Sequence, residues 1–333
     1  MVSSGYSLEI MINILQSIVA LLIVTGTVLA DPPTDETWTP VAGFARGEDT
    51  GTLGNTHGGV VIDREGLIYS NTDTPRSIVV HRPDGTFVRA LAGAYPGIHG
   101  MAIREENGVE YIYAAHLAGK QVLKLRLDGT LVWALGVPME SGKYDDNPAA
   151  YNPTGVAVAP DGTIFVVDGY GRNWVHVFGP DLTYRKSFGG RGTDPGKFQT
   201  CHGCAIDTRG TTPMLLVCDR ENRRIQRFEL DGTFVDIPAT DLRRPCAMSV
   251  VGDEVAVAEL EGRVTILDKD FNVVAHVGDN PDKNQWARNG VPETEWIDGV
   301  FTAPHGCCLD ENGNLYVSDW NATGRLSKIE RGG

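Results

Sequence analysis

One pattern recurs six times along the chain at an average spacing near fifty residues, and nothing else constrains the fold as strongly. The copies open at "HGGVVIDREG" (57), "HGMAIREENG" (99), "TGVAVAPDG" (154), "HGCAIDTRG" (202), "CAMSVVGD" (246) and "HGCCLDENG" (305), with spacings of 42, 55, 48, 44 and 59 residues. Each copy holds an apolar run, a turn rich in Gly, Asp or Asn, and a second run ending near an acid. A third run follows, such as "RRIQRF" or "RVTILD", then an Asp-Gly turn ("RPDGTFV", "RLDGTLV", "ELDGTFV") and a fourth run. Asp-Gly between alternating segments is a strong hairpin signal. Four short strands repeated six times predict an all-β, six-bladed β-propeller.

The sixth repeat supplies only three strands, "GCCLD", "NLYVSDW" and "RLSKIER". The segment "TWTPVAGFARG", residues 37 to 47, precedes the first repeat and is free to add the missing outer strand. That closure joins the two ends of the ring and removes an open sheet edge. The expectation is one domain over residues 37–331, with no linker.

Ahead of it, residues 10 to 28 are almost wholly apolar, and small residues Val28 and Ala30 precede a Pro-rich break. Residues 1–30 therefore read as a secretory signal peptide, the alternative being an uncleaved anchor. The expected location is secreted or periplasmic, or membrane-anchored if the segment is retained. Net charge is −14, from 29 Lys and Arg against 43 Asp and Glu. A nucleic-acid partner would want a basic face, so that class is excluded. The expected partner is a small-molecule or peptide substrate, and the expected state a monomer. Six cysteines in an exported chain are free to pair, but their spacing dictates no framework.

The first strand of a propeller blade lines the central channel. Aligning the repeats puts His57, His99, Thr154, His202, Cys246 and His305 on one ring. Blades two, four and six, about 120° apart around the axis of a six-bladed ring, contribute His99, His202 and His305. Three imidazoles with an open fourth position are the donor set of a catalytic metal, zinc (Zn) first, with copper or iron left open. His57 and Cys246 are candidate further ligands or groups backing the ligands. Strand alternation predicts a second axis-facing ring two residues on, with Met101, Cys204, Met248 and Cys307, read as adaptable packing, with soft copper(I) ligands the alternative. Loops on the same face bring Tyr170, Arg220 and Trp320 toward the mouth. Arg220 suits a carboxylate, and Tyr170 beside a cation and a metal is a candidate base with a lowered pKa. The connectors 138–152 and 279–301, the latter with Trp286 and Trp296, are candidate pocket walls.

The repeat style resembles NHL-type propellers over essentially the whole mature chain. Within them, "GIHGMAI", "TCHGCAI", "APHGCCL", "VVDGYGRN" and above all "CDRENRRIQ" resemble the peptidyl-α-hydroxyglycine α-amidating lyases. The resemblance implies zinc on His99, His202 and His305, with Tyr170 as catalytic base and Arg220 holding negative charge. It implies C–N cleavage that releases an amide and glyoxylate. The family's second catalytic arginine falls here near Asn71, with Arg76 close but not aligned. Its calcium-ligating acid after the blade-six histidine is Gly306 here, which argues against calcium. A non-catalytic propeller binding a protein or glycan on its top face, with a structural metal, is the alternative. A calcium-dependent lactonase would need Glu, Asn and Asp around the channel mouth, and the ring has none.

Overall fold

The computed structural model describes residues 1, 37–47, 51–91 and 95–332. The expected leader, Met1 apart, lies outside the described residues. Among the described residues no helix is long and apolar enough to cross a membrane.

Six four-stranded antiparallel sheets form the six blades. The outer hairpins follow from the sequence directly. Asp84, Asp128, Asp161 and Asp231 accept the amides of Thr86, Thr130, Thr163 and Thr233 two residues on, at 2.8–2.9 Å. Gly85, Gly129, Gly162 and Gly232 follow those aspartates at φ of +84° to +88°, where a Cβ is strained.

Both faces of each blade pack on neighbouring blades. Phe165, Val167 and Val175 of blade three meet Leu215, Val217 and Phe228 of blade four. Ala256, Val264 and Ile266 of blade five meet Cys307, Leu315 and Val317 of blade six. Blade strands buried on both faces are apolar on both faces, as in "GVAV" and "IFVV" of blade three.

Closure runs as expected. Trp38–Pro40 pairs antiparallel with Arg325–Arg331, so the last blade takes its outer strand from the start of the domain. A second latch joins blades one and six. Thr56 N donates to Asn321 O at 3.0 Å, and Thr56 Oγ1 donates to Asp319 O at 2.6 Å.

Candidate metal centre

The inner strands would ordinarily turn their side chains toward the adjacent blades. A register shift lies at the ring position in five blades, between Thr56 and Val60, Ile98 and Met101, Cys201 and Cys204, Pro245 and Ala247, and Pro304 and Gly306. An irregularity of this kind re-aims a side chain. Blade three pairs regularly from Gly155 onward. Its ring residue, Thr154, is spent on the backbone, its hydroxyl engaging Val167 O, Cys201 O and Gly169 N.

Glycine follows the ring residue in every blade except five, where it is Ala247. There the inner strands crowd together at the axis. A Cβ on Gly306 would overlap Gly58 O, and one on Gly203 would overlap Cys246 O. This backbone has no room for an acid at 306. The ring offers nitrogen and sulfur donors, whereas calcium takes six to eight oxygens, so the ring does not suit calcium.

The histidines converge as the repeat alignment predicts. Ring centroids of His99, His202 and His305 are 4.8, 4.9 and 4.6 Å apart, close to an equilateral triangle. His57 lies 4.7 Å from His99 and 5.0 Å from His305. His99 Nδ1 donates to Thr154 O at 2.7 Å and His202 Nδ1 to Cys246 O at 2.8 Å, each the ring carbonyl of the next blade. Tying Nδ1–H to a carbonyl leaves the Nε2 lone pair for the centre. The corresponding carbonyl for His305 is His57 O, which instead accepts Asn71 Nδ2 at 2.9 Å. Among the described residues, His99 Nε2 and His305 Nδ1 are buried without a partner. Leaving a buried polar atom unpaired costs about 1–3 kcal/mol, so these orphaned nitrogens are positions that a further partner would satisfy.

Burial holds all three imidazoles well below their ordinary pKa, and the Arg220 guanidinium further disfavours their protonation. They are neutral at pH 7, the form that ligates metals. The ligand atoms fall into two overlapping groups, His57, His99 and His305, and His202, Cys246 and His305, each within 4.8 Å. His57 and Cys246 thus belong with the cluster. A cation held there fits the imidazole-rich donor set of zinc, copper or iron.

The mouth residues reach the ring. Tyr170 donates its hydroxyl to His202 Nε2 at 2.9 Å and sits 3.4 Å from His305 Nε2. Arg220 Nη1 donates to the Tyr170 hydroxyl at 3.1 Å. Trp320 stacks 6.0 Å from His57. The expected lowering of the Tyr170 pKa is not what the protein alone produces. Burial pushes it up to about 12, and Arg220 only partly offsets that. Within the protein alone Tyr170 is a neutral phenol.

Arg76 does not join them. One guanidinium nitrogen lies beside Gly47, and among the described residues no hydrogen bond links it to the cluster. Asn71 ties two inner strands instead, donating to His57 O and Ile98 O. Trp296 walls a separate cavity of about 180 Å³ with Phe44, Glu293 and Arg325, away from the ring. Trp286 and Trp296 brace their own connector, stacked under Arg243 at 4.3 Å and Arg325 at 5.1 Å, with indole N–H groups on Asn280 O and Val291 O. Ala287 of the same connector, not a tryptophan, packs beside Cys246, Leu260 and Trp320.

Met101, Cys204, Met248 and Cys307 of the second ring all line the axial cavity, and each also packs against a blade cluster. Cys307 packs between blades five and six, its thiol 3.4 Å from Ala256 O, and Cys308 packs toward Val60 and Tyr316 on the other side. The two do lie on opposite faces of one strand, but both faces meet blades. All six cysteines are free thiols. Beneath the ring the axial cavity, about 470 Å³, runs from His99, His202 and His305 to Arg104, Glu105 and Thr208.

Sequence reasoning missed what holds the ring in place. The acid ending the second strand accepts amides just upstream of the ring residue. Asp168 takes Asn152 N, Asp219 takes Gln199 N, Glu259 takes Arg243 N, and Asp319 takes Thr302 N and Ala303 N. Arginines 224, 263 and 325 of the third strands face Asp219, Glu259 and Asp319. The recurring acid was visible, but not its partner. Asp73 was also missed; its carboxylate lies 3.4 Å from His57 Nδ1. Asn321 heads a glycosylation-type "NAT", yet it is 1% exposed and donates its amide to Val291 O, which excludes a glycan from the folded chain.

Residues 151–178 match the NHL repeat family. NHL repeat-containing protein 3 of Homo sapiens is 31% identical over 175 residues, 50% of this chain and 49% of that protein; its Mus musculus counterpart is 30% identical over the same length. The chain spans about half the length of the curated relatives it matches. Among solved structures, a streptogramin B lyase is similar over 89% of this chain and 97% of its own, with TM-score 0.58 and 12% identity. A gluconolactonase from Xanthomonas campestris is similar over 84% and 89%, with TM-score 0.58 and 16% identity. At those identities the likeness is one of fold. The chain is a six-bladed β-propeller that carries an NHL repeat.

Proposed function

We propose that the protein is an exported, metal-dependent propeller lyase of the peptidyl-α-hydroxyglycine amidating type, with zinc held by His99, His202 and His305. The observation that carries this reading is a single contact set. A buried phenol hydrogen-bonded to one neutral imidazole and close to a second also accepts a bond from a guanidinium. A dication bound at the ring supplies Lewis-acid polarisation of a substrate oxygen and the positive charge that favours the Tyr170 phenolate. The chain's own residues do the rest. Arg220, protonated at every relevant pH, binds the carboxylate of the terminal hydroxyglycine. Tyr170 takes the hydroxyl proton. The C–N bond then breaks, a carbonyl forms on the glyoxylate fragment, and the electron pair and a proton go to the amide nitrogen. Leu260, Ala303 and Trp320 pack against Cys246 and make that flank of the ring apolar.

The test is glyoxylate release from a peptidyl-α-hydroxyglycine, measured with metal content for wild type, His202→Ala and Tyr170→Phe. Expected are a metal-containing wild type that releases glyoxylate, a metal-depleted inactive His202→Ala, and a Tyr170→Phe that keeps its metal and loses at least about a hundredfold in rate. A metal-free wild type, or an unchanged Tyr170→Phe, overturns the proposal.

A further inference from the structure

The ring contains one donor that the amidating reading leaves unused. Cys246 occupies the blade-five ring position, 1% exposed, and its sulfur falls within 4.8 Å of the ligand atoms of His202 and His305. Contrast Thr154, the other non-histidine of the ring, whose hydroxyl is consumed by the backbone. The Cys246 thiol donates a long bond to Arg244 O at 3.6 Å. Arg220 sits within hydrogen-bonding reach of the sulfur, on the same guanidinium that touches Tyr170. Burial outweighs Arg220 and pushes the Cys246 pKa up to about 11, so the thiol is neutral until an ion binds, and its sulfur is then a strong ligand for zinc and softer ions. Leu260, Ala303 and Trp320 make the other flank apolar.

We propose that Cys246 is a displaceable thiolate ligand of the ion held by His202 and His305, closing in the resting protein the coordination position that a substrate would need. Binding of a divalent ion breaks the S–H bond, sends its proton to solvent and forms the sulfur–metal bond. When a carboxylate displaces the sulfur, the thiolate takes back a proton from solvent, and Arg220 is left for the carboxylate. Closed four-ligand sites are inert and open three-ligand sites react, so Cys246 sets the balance between the two. This rests on the reading of the ring as an ion-binding centre.

The test loads the purified full chain with Co(II) and records its absorption spectrum and cobalt content. The expected wild type shows a sulfur-to-cobalt charge-transfer band in the near ultraviolet, which adding glycolate removes. Cys246→Ser should keep at least half the wild-type cobalt content and lack the band. Cobalt-loaded wild type without a sulfur band overturns the inference, and so does a band that survives in Cys246→Ser. The wild-type spectrum stands even if the variant misfolds. The two proposals fail separately. Glyoxylate release without a sulfur band removes only this inference. A glycolate-sensitive band without glyoxylate release removes only the lyase.

Discussion

Acid should unfold this protein, and the ring histidines should account for a measurable share. His99, His202 and His305 are fully buried and held neutral, so their folded pKa values lie well below 6.5. In the unfolded chain each titrates near 6.5. Below that pH the unfolded state takes up protons that the native state refuses. The stability tied to these groups is therefore present above 6.5 and lost as pH falls. The limiting loss is about 1.4 kcal/mol per pH unit for each such group, or about 4 kcal/mol for three by pH 5.5. Asp168 works in the opposite sense. Burial raises its pKa to about 6, so its native carboxyl binds a proton that the unfolded one does not. That returns about 1 kcal/mol at pH 5.5. His81, His116, His176 and His276 are also lowered by burial and add to the loss. A difference isolates the ring. Urea unfolding with chelator present, at pH 7.5 and 5.5, should give a pH-dependent loss about 1 kcal/mol smaller for His99→Gln than for wild type. An identical loss would mean that His99 protonates as freely folded as unfolded. The cluster would then be wet, and the argument for a dry ligand site would fall.

Two further outcomes test the scaffold. Gly306→Ala should cost at least about 2 kcal/mol in chemical unfolding, because its Cβ would overlap Gly58 O, while Gly136→Ala, with open space around it, should stay within about 0.5 kcal/mol; equal shifts would refute the crowding at the axis. Asp319→Ala strips the acceptor from the buried amides of Thr302 and Ala303 and the counter-charge from Arg325, whose side chain is 5% exposed, so a loss of about 3–5 kcal/mol is expected in the same assay; a loss below about 1 kcal/mol would show that the acid does not anchor the blade-six ring residue.

The repeat made the blades, their order and the ring legible, because a propeller converts equal spacing in sequence into equal angle around an axis. It also located Trp38–Pro40, since a three-stranded sixth repeat leaves an edge to be filled. Tyr170 and Arg220 were legible because the loop after the second strand emerges on the ring face of each blade, whatever its length. What counting could not give was orientation. A register shift at the ring turns the histidines inward, and no residue type announces it. The state of Tyr170 was equally hidden, because a nearby arginine is visible in sequence and the degree of burial is not. The acids at the ends of the second strands were seen as a pattern, while the amides they hold lie up to twenty residues upstream.

The latch between blades one and six has a consequence for how the site comes into being. His57 and His305 flank that seam, and Thr56 and Asn321 fasten it. During synthesis the first of these histidines leaves the ribosome some 250 residues before the last. An unfinished chain thus exposes single imidazoles but never the triangle. On the proposed reading, ion capture at full strength is an event of ring closure, and metal retention would count closed rings in a population of folding chains.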